Sequence, residues 1–126
     1  MSVTNLNRTP EHFDDGNDSI VIVRDLGDIP GGRSLDVTEV TEDVIRAGHI
    51  LISNDTTKEV KPLGVSEAAY ASKPSGWSYI GVLKHSVLKT DARAAILTIG
   101  QVNAAACPYP ITADIKAGLP HIQFLN

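Results

Sequence analysis

A mainly β domain with two short helical turns is the fold class this sequence predicts. Three observations lead there. Residues 77–102, WSYIGVLKHSVLKTDARAAILTIGQV, read as two strands around a polar turn at residues 89–92. The runs IVIV (20–23) and HILIS (49–53) are rich in β-branched and aliphatic residues. Gly, Pro, Asn and Asp punctuate the chain between such runs.

Taken in order, residues 1–18 are polar, carry Pro10 and Gly16 and show no period, which predicts a flexible arm ahead of a β-rich domain at residues 19–126. Residues 20–23 are the first predicted strand. Pro30, Gly31 and Gly32 form a turn, and residues 34–38 alternate as a second short strand. Residues 41–48, TEDVIRAG, have the grammar of a short helix. Thr41 is placed to cap, Glu42 and Asp43 suit the positive end of the dipole, and Gly48 suits the stop. Residues 49–53 and 58–63 are a strand and its return, with Pro62 marking an edge or an end. Residues 66–71 have room for one helical turn.

In the central stretch, strict alternation sends Trp77, Tyr79, Gly81, Leu83, His85 and Val87 to one face. The opposite face takes Ser78, Ile80, Val82, Lys84, Ser86 and Leu88. Residues 94–99 are apolar on nearly both faces, which suggests two-sided burial. Pro108 and Pro110 prevent regular pairing around Tyr109. Residues 112–118 repeat the helix grammar, with Thr112 as cap and Gly118 as stop, and residues 122–125 close the chain as a strand.

The chain has 126 residues, enough for one domain with its own core. Aromatic residues make up only 5%, so Val, Ile, Leu and Ala must build that core. A net charge of −4 argues against nucleic acid or an anionic membrane as partner, since both call for a basic face. Cys107 is the single cysteine, which rules out an internal disulfide and fits a reducing compartment. With no signal-peptide core and no apolar run of spanning length, a soluble protein of the cytoplasm is expected.

No catalytic motif emerges. His12, His49, His85 and His121 show no paired spacing with each other or with Cys107, so neither a metal site nor any cofactor is expected. A lone cysteine is more often a small buried apolar group than a nucleophile. Trp77 and Tyr79 have the chemistry to stack a sugar or a base. Set on a strand with Gly81, they read better as packing against a neighbouring chain or covering the core edge, and His85 as packed or hydrogen-bonded at an interface.

The strand segments also carry a family pattern. RAGHILI, then VKPLG, then YIGVLKHSVL, then AAILTIGQVN resembles the head decoration proteins of tailed phages, the lambda-type capsid-stabilising group. The matching positions are Ala47, Gly48, Ile50 and Leu51, then Val60, Pro62, Gly81, Leu83, Gly100 and Val102. Val60 stands where that pattern has a tyrosine. VRDLGDIPGGRSLDV, AAACPYPI and LPHIQF resemble a narrower group, the phage head fibre proteins.

The resemblance implies a compact β-clip or β-tulip domain, without enzymatic activity or cofactor. It also implies a homotrimer seated on the major capsid protein at three-fold positions of the shell, assembled in the host cytoplasm and ending on the outer surface of the virion. On this reading Trp77, Tyr79, Gly81 and His85 are candidates for trimer packing, and Asn5, Leu6 and Phe13 of the arm for capsid contact. The rivals are a glycan- or receptor-binding fibre knob using Trp77, Tyr79 or Tyr109, and a small enzyme whose site forms between subunits.

Overall fold

The computed structural model describes residues 18–29, 32–38, 40–66 and 68–125. Of the predicted arm at residues 1–18, residues 1–17, with Asn5, Leu6 and Phe13, lie outside the described residues, and Asp18 begins a helix. A one-turn helix, α1 (Asp18–Val21), leads into β1 (Ile22–Asp28). There follow β2 (Arg33–Ser34), β3 (Val44–Ile45), β4 (Ile50–Asn54), β5 (Val60–Pro62), β6 (Val65–Ser66) and β7 (Ala69–Tyr70). The second half holds β8 (Trp77–Leu83), β9 (Val87–Leu88), β10 (Arg93–Ala94), β11 (Ile96–Asn103), α2 (Ala113–Gly118) and β12 (Ile122–Leu125). The chain is thus mainly β with few helices.

Five strands lie side by side in the order β1-β11-β8-β4-β5, all antiparallel. β12 joins the same sheet by pairing in parallel with the end of β11. Alternation on β4 separates two cores. Ile50 and Ile52 point to one, with Val82, Leu97, Val102, Ile115, Leu119 and Ile122. Leu51 points to the other, with Leu35, Ile45, Val60, Leu83, Ala94 and Ile96. The second predicted helix is present as α2. The Thr112 hydroxyl accepts from the Ile115 amide at 3.3 Å, and Ile115 is fully buried beneath it.

The other predicted helix, at residues 41–48, is not formed. Val44 and Ile45 instead pair with Leu88 and Val87 as β3 against β9. The Lys89 amide donates to the Asp43 carbonyl at 2.8 Å, and the Ala47 amide to the Ser86 hydroxyl at 3.0 Å. Two β-branched residues offered a distant strand partner outweigh a local capping pattern worth about 1 kcal/mol. Gly48 does adopt a positive φ, +91°, but in the turn before β4. Residues 66–71 are likewise not helical. β6 and β7 form a hairpin whose turn holds Ala68 at φ 63°. At the start of the chain, residues 20 and 21 belong to α1 rather than to a strand, and Val21 is fully buried.

The central hairpin is shorter than its sequence implies. β8 and β11 pair only through Leu83 with Ile96 and Val82 with Leu97. Beyond Leu83 the chain turns away, so β9 meets β3 and β10 meets β2. Alternation along β8 also breaks. Tyr79 pairs with Ile52 and Gly81 with Leu51, which leaves Ile80 as an inserted residue. The phase reverses there: Trp77, Tyr79 and Val82 pack on the first core, while Ile80 and Leu83 pack on the second. Two-sided burial holds for Ile96 and Leu97 but ends before Ile99, which is 44% exposed.

β1 is an edge strand. Register shifts leave Val23 and Leu26 as inserted residues, and both face outward, at 53% and 61% exposure. Lys84 ties this edge to the end of β8, pairing with Asp25 and with Asp28 at 2.8 Å. Those hydrogen bonds, to Asp25 first and then Asp28, hold the Lys84 ammonium above its ordinary pKa.

Candidate functional site

The chemistry-bearing feature of the fold is a cleft of ≈ 760 Å³. Its walls come from three distant stretches: the loop and β3 region from Asp36 to His49, the segment from Lys61 to Ala68, and Pro108 with Tyr109. Because residues 41–48 do not wind into a helix, Glu42, Asp43 and Arg46 are spread along one wall. The hairpin β6–β7 brings Tyr70 back beside His49.

His49 is buried at one end of this wall. Its Nε2–H donates to the Leu63 carbonyl at 2.9 Å, because a carbonyl can only accept. Its ring meets Tyr70 and Tyr109 edge-on, at 5.3 and 5.7 Å between centroids, and the two tyrosines meet each other at 5.3 Å. The Ile50 amide donates to the Tyr70 hydroxyl oxygen at 3.1 Å. Burial pushes the His49 pKa below its ordinary value, although the Leu63 bond and the Glu42 charge pull it upward. Burial raises Tyr70, and it raises Tyr109 with help from the Glu42 charge. The cluster is therefore neutral at pH 7.

A pH dependence follows. The unfolded chain protonates His49 near its ordinary value of 6.5, before the folded chain does. Stability therefore falls as pH drops below 6.5, until the lower folded pKa is passed. Thermal melts over this range are expected to show a falling Tm, and His49→Gln to flatten the dependence.

Across the cleft wall, Arg46 presents the one buried side-chain polar atom without a hydrogen-bond partner among the described residues, its Nη1. Asp36 is held ionised below its ordinary value, first by the Thr38 amide at 3.1 Å and then by the Thr38 hydroxyl at 2.9 Å. Lys61 also lines the cleft, and its ammonium lies 4.5 Å from the centre of the Trp77 ring.

The four residues proposed for trimer packing fall in different settings. Trp77 and Tyr79 pack partly on the first core, and the Tyr79 ring lies against Gly118 of α2. Gly81 is buried beneath β11, where any side chain would strike the Leu97 carbonyl oxygen. His85 is exposed in the turn after β8. Cys107 is half-buried, and burial pushes its thiol up to about 11, which makes it a poor nucleophile at neutral pH. No group of three or more His, Cys, Asp or Glu residues among the described ones is arranged to hold a metal ion. No helix among them is long and apolar enough to cross a membrane.

Sequence reasoning misses Arg46 and Tyr70 as site residues, because both fall in stretches whose local grammar predicts helical turns. The one signal for Arg46 is its place inside an apolar run, between Ile45 and Ala47, where a guanidinium needs a partner. No family model, curated protein or solved structure matches the chain.

Proposed function

We propose that this chain is a capsid decoration or head fibre protein of a tailed phage. It acts as a homotrimer that bridges major capsid subunits on the outer face of the shell, without catalysis. One observation carries the reading. The four segments that bear the resemblance are β4, β5, β8 and β11, and these lie next to one another in a single sheet. Their matching glycines mark places where the backbone needs them. Gly48 has a positive φ, and at Gly81 and Gly100 a side chain would strike the Leu97 and Arg24 carbonyls. The finer fold name, β-clip or β-tulip, belongs to the same proposal.

The mechanics are those of a multivalent clamp. Three copies of a weak contact bind together, because the second and third engagements are intramolecular. The exposed Ile20 of α1, Val23 and Leu26 of β1 and Ile99 of β11 supply apolar surface for contact with a neighbour. The arm, which α1 separates from the edge strand β1, adds to a neighbouring sheet on the shell through main-chain hydrogen bonds.

Co-sedimentation with expanded shells of the cognate phage tests this. Full-length protein is expected to pellet with shells. Deleting residues 2–17 is expected to lower affinity by about tenfold for each 1.4 kcal/mol of binding free energy that the arm supplies, with the mass by light scattering still three times that of the chain. Equal binding by both forms moves the capsid contact onto the folded body, and no binding by either rejects the decoration reading. The knob reading retains one supporting observation: Tyr109 lines the cleft, whereas Trp77 and Tyr79 pack on the core. Saturable glycan binding without shell binding would favour it.

A further inference from the structure

The cleft beside Arg46 shares no lining residue with the exposed apolar surface of Ile20, Val23, Leu26 and Ile99, and its chemistry points to a ligand of its own. Its volume of ≈ 760 Å³ lies within the range of small-molecule sites, about 300–1,000 Å³. Val40, Ile45, Pro62, Leu63 and Pro108 give it apolar walls. Arg46 carries a guanidinium nitrogen that is buried and unpartnered. Buried charged donors are costly when left unpaired, so a guanidinium with one nitrogen already shielded from water and unpartnered gains from an acceptor on the part of the side chain that lines the cleft. Glu42 and Asp43 also line the cleft, yet neither supplies an acceptor to that nitrogen.

We infer that the cleft binds a small monocarboxylate with an apolar body, its carboxylate engaging Arg46 and its body lying against the aliphatic wall and Tyr109. The fork of a guanidinium matches a carboxylate geometrically. The net charge of the lining sets the limit on ligand charge. Asp36, Glu42 and Asp43 outnumber Arg46 and Lys61, and His49 is neutral. Pairing with Arg46 offsets this repulsion for a single negative charge, while a multiply charged anion such as phosphate meets more of it from the carboxylates. The site is distinct from the exposed apolar stripe on β1, so it can hold whether or not the chain decorates a shell.

The test uses phenylacetate as probe, with phenylacetamide as its neutral counterpart and inorganic phosphate at matched ionic strength. Backbone amide shifts of the full chain are followed by NMR. Phenylacetate is expected to give saturable shifts clustered at residues 44–49 and 63–65, and phenylacetamide to bind at least about tenfold more weakly. Phosphate is expected to leave these signals unmoved. Arg46→Lys, which keeps the charge but loses the fork, is expected to weaken phenylacetate binding with the remaining spectrum unchanged. Absence of saturable shifts, equal binding of the amide, or preference for phosphate would each overturn the inference. Should Arg46→Lys fail to fold, the comparison of acid and amide on the unaltered chain decides.

Discussion

Gly81→Val is expected to destabilise the fold by about 1–3 kcal/mol through overpacking. A Cβ at this position would fall on the backbone oxygen of Leu97 and 2.7 Å from Ile96 Cγ2. A side-chain tip could swing aside, but a strand carbonyl cannot. β8 and β11 would have to separate where they are joined by two residue pairs. The inserted Ile80 beside Gly81 already bends β8 at this point. Because the first added carbon makes the collision, Gly81→Ala is expected to show much of the same loss. Thermal melts and light scattering check both variants. An unchanged Tm with unchanged mass would show that β8 and β11 do not approach as described.

Leu97→Ala is expected to cost more, about 2–5 kcal/mol, with a fall in Tm on the order of 10 °C. Leu97 is fully buried in the first core. It pairs with Val82 of β8 on one side and with Asp28 of β1 on the other. Its Cδ1 also fills the space over Gly100, 3.2 Å from where a Cβ would stand. Removing it opens a cavity between rigid strands, which have little freedom to collapse inward. A loss below about 1 kcal/mol would mean that the two faces of the sheet are packed less tightly than the burial indicates.

What the sequence made legible was local. Apolar runs such as residues 49–53 became strands because their pattern suits a strand and β5 and β8 lie on either side to pair with them. α2 formed where Thr112 and Gly118 bracket one turn with Ile115 pointing inward. Residues 41–48 carry the same punctuation and did not form a helix, because the partner that decided their fate, β9, lies some forty residues away along the chain. Ile80 could not be seen as a bulge, since a bulge is a property of two strands in register and not of one. That single inserted residue reversed the facing of everything after it on β8.

The cleft was illegible for the same reason. Arg46, Leu63 and Tyr109 converge only once β4, β5 and the loop after β11 are in place. Gly81 was the exception: a glycine among large strand residues signalled close backbone approach, and the Leu97 carbonyl is what approaches it.

The central claim, that this chain decorates an icosahedral shell as a trimer, is tested most directly by imaging. Purified protein is added to expanded shells of its own phage, and the shells are reconstructed by electron cryomicroscopy. Added three-lobed density is expected on the outer surface at three-fold and quasi-three-fold positions, each lobe fitting one copy of the β domain. Shells that remain bare at saturating protein, or density at any other symmetry position, would contradict it.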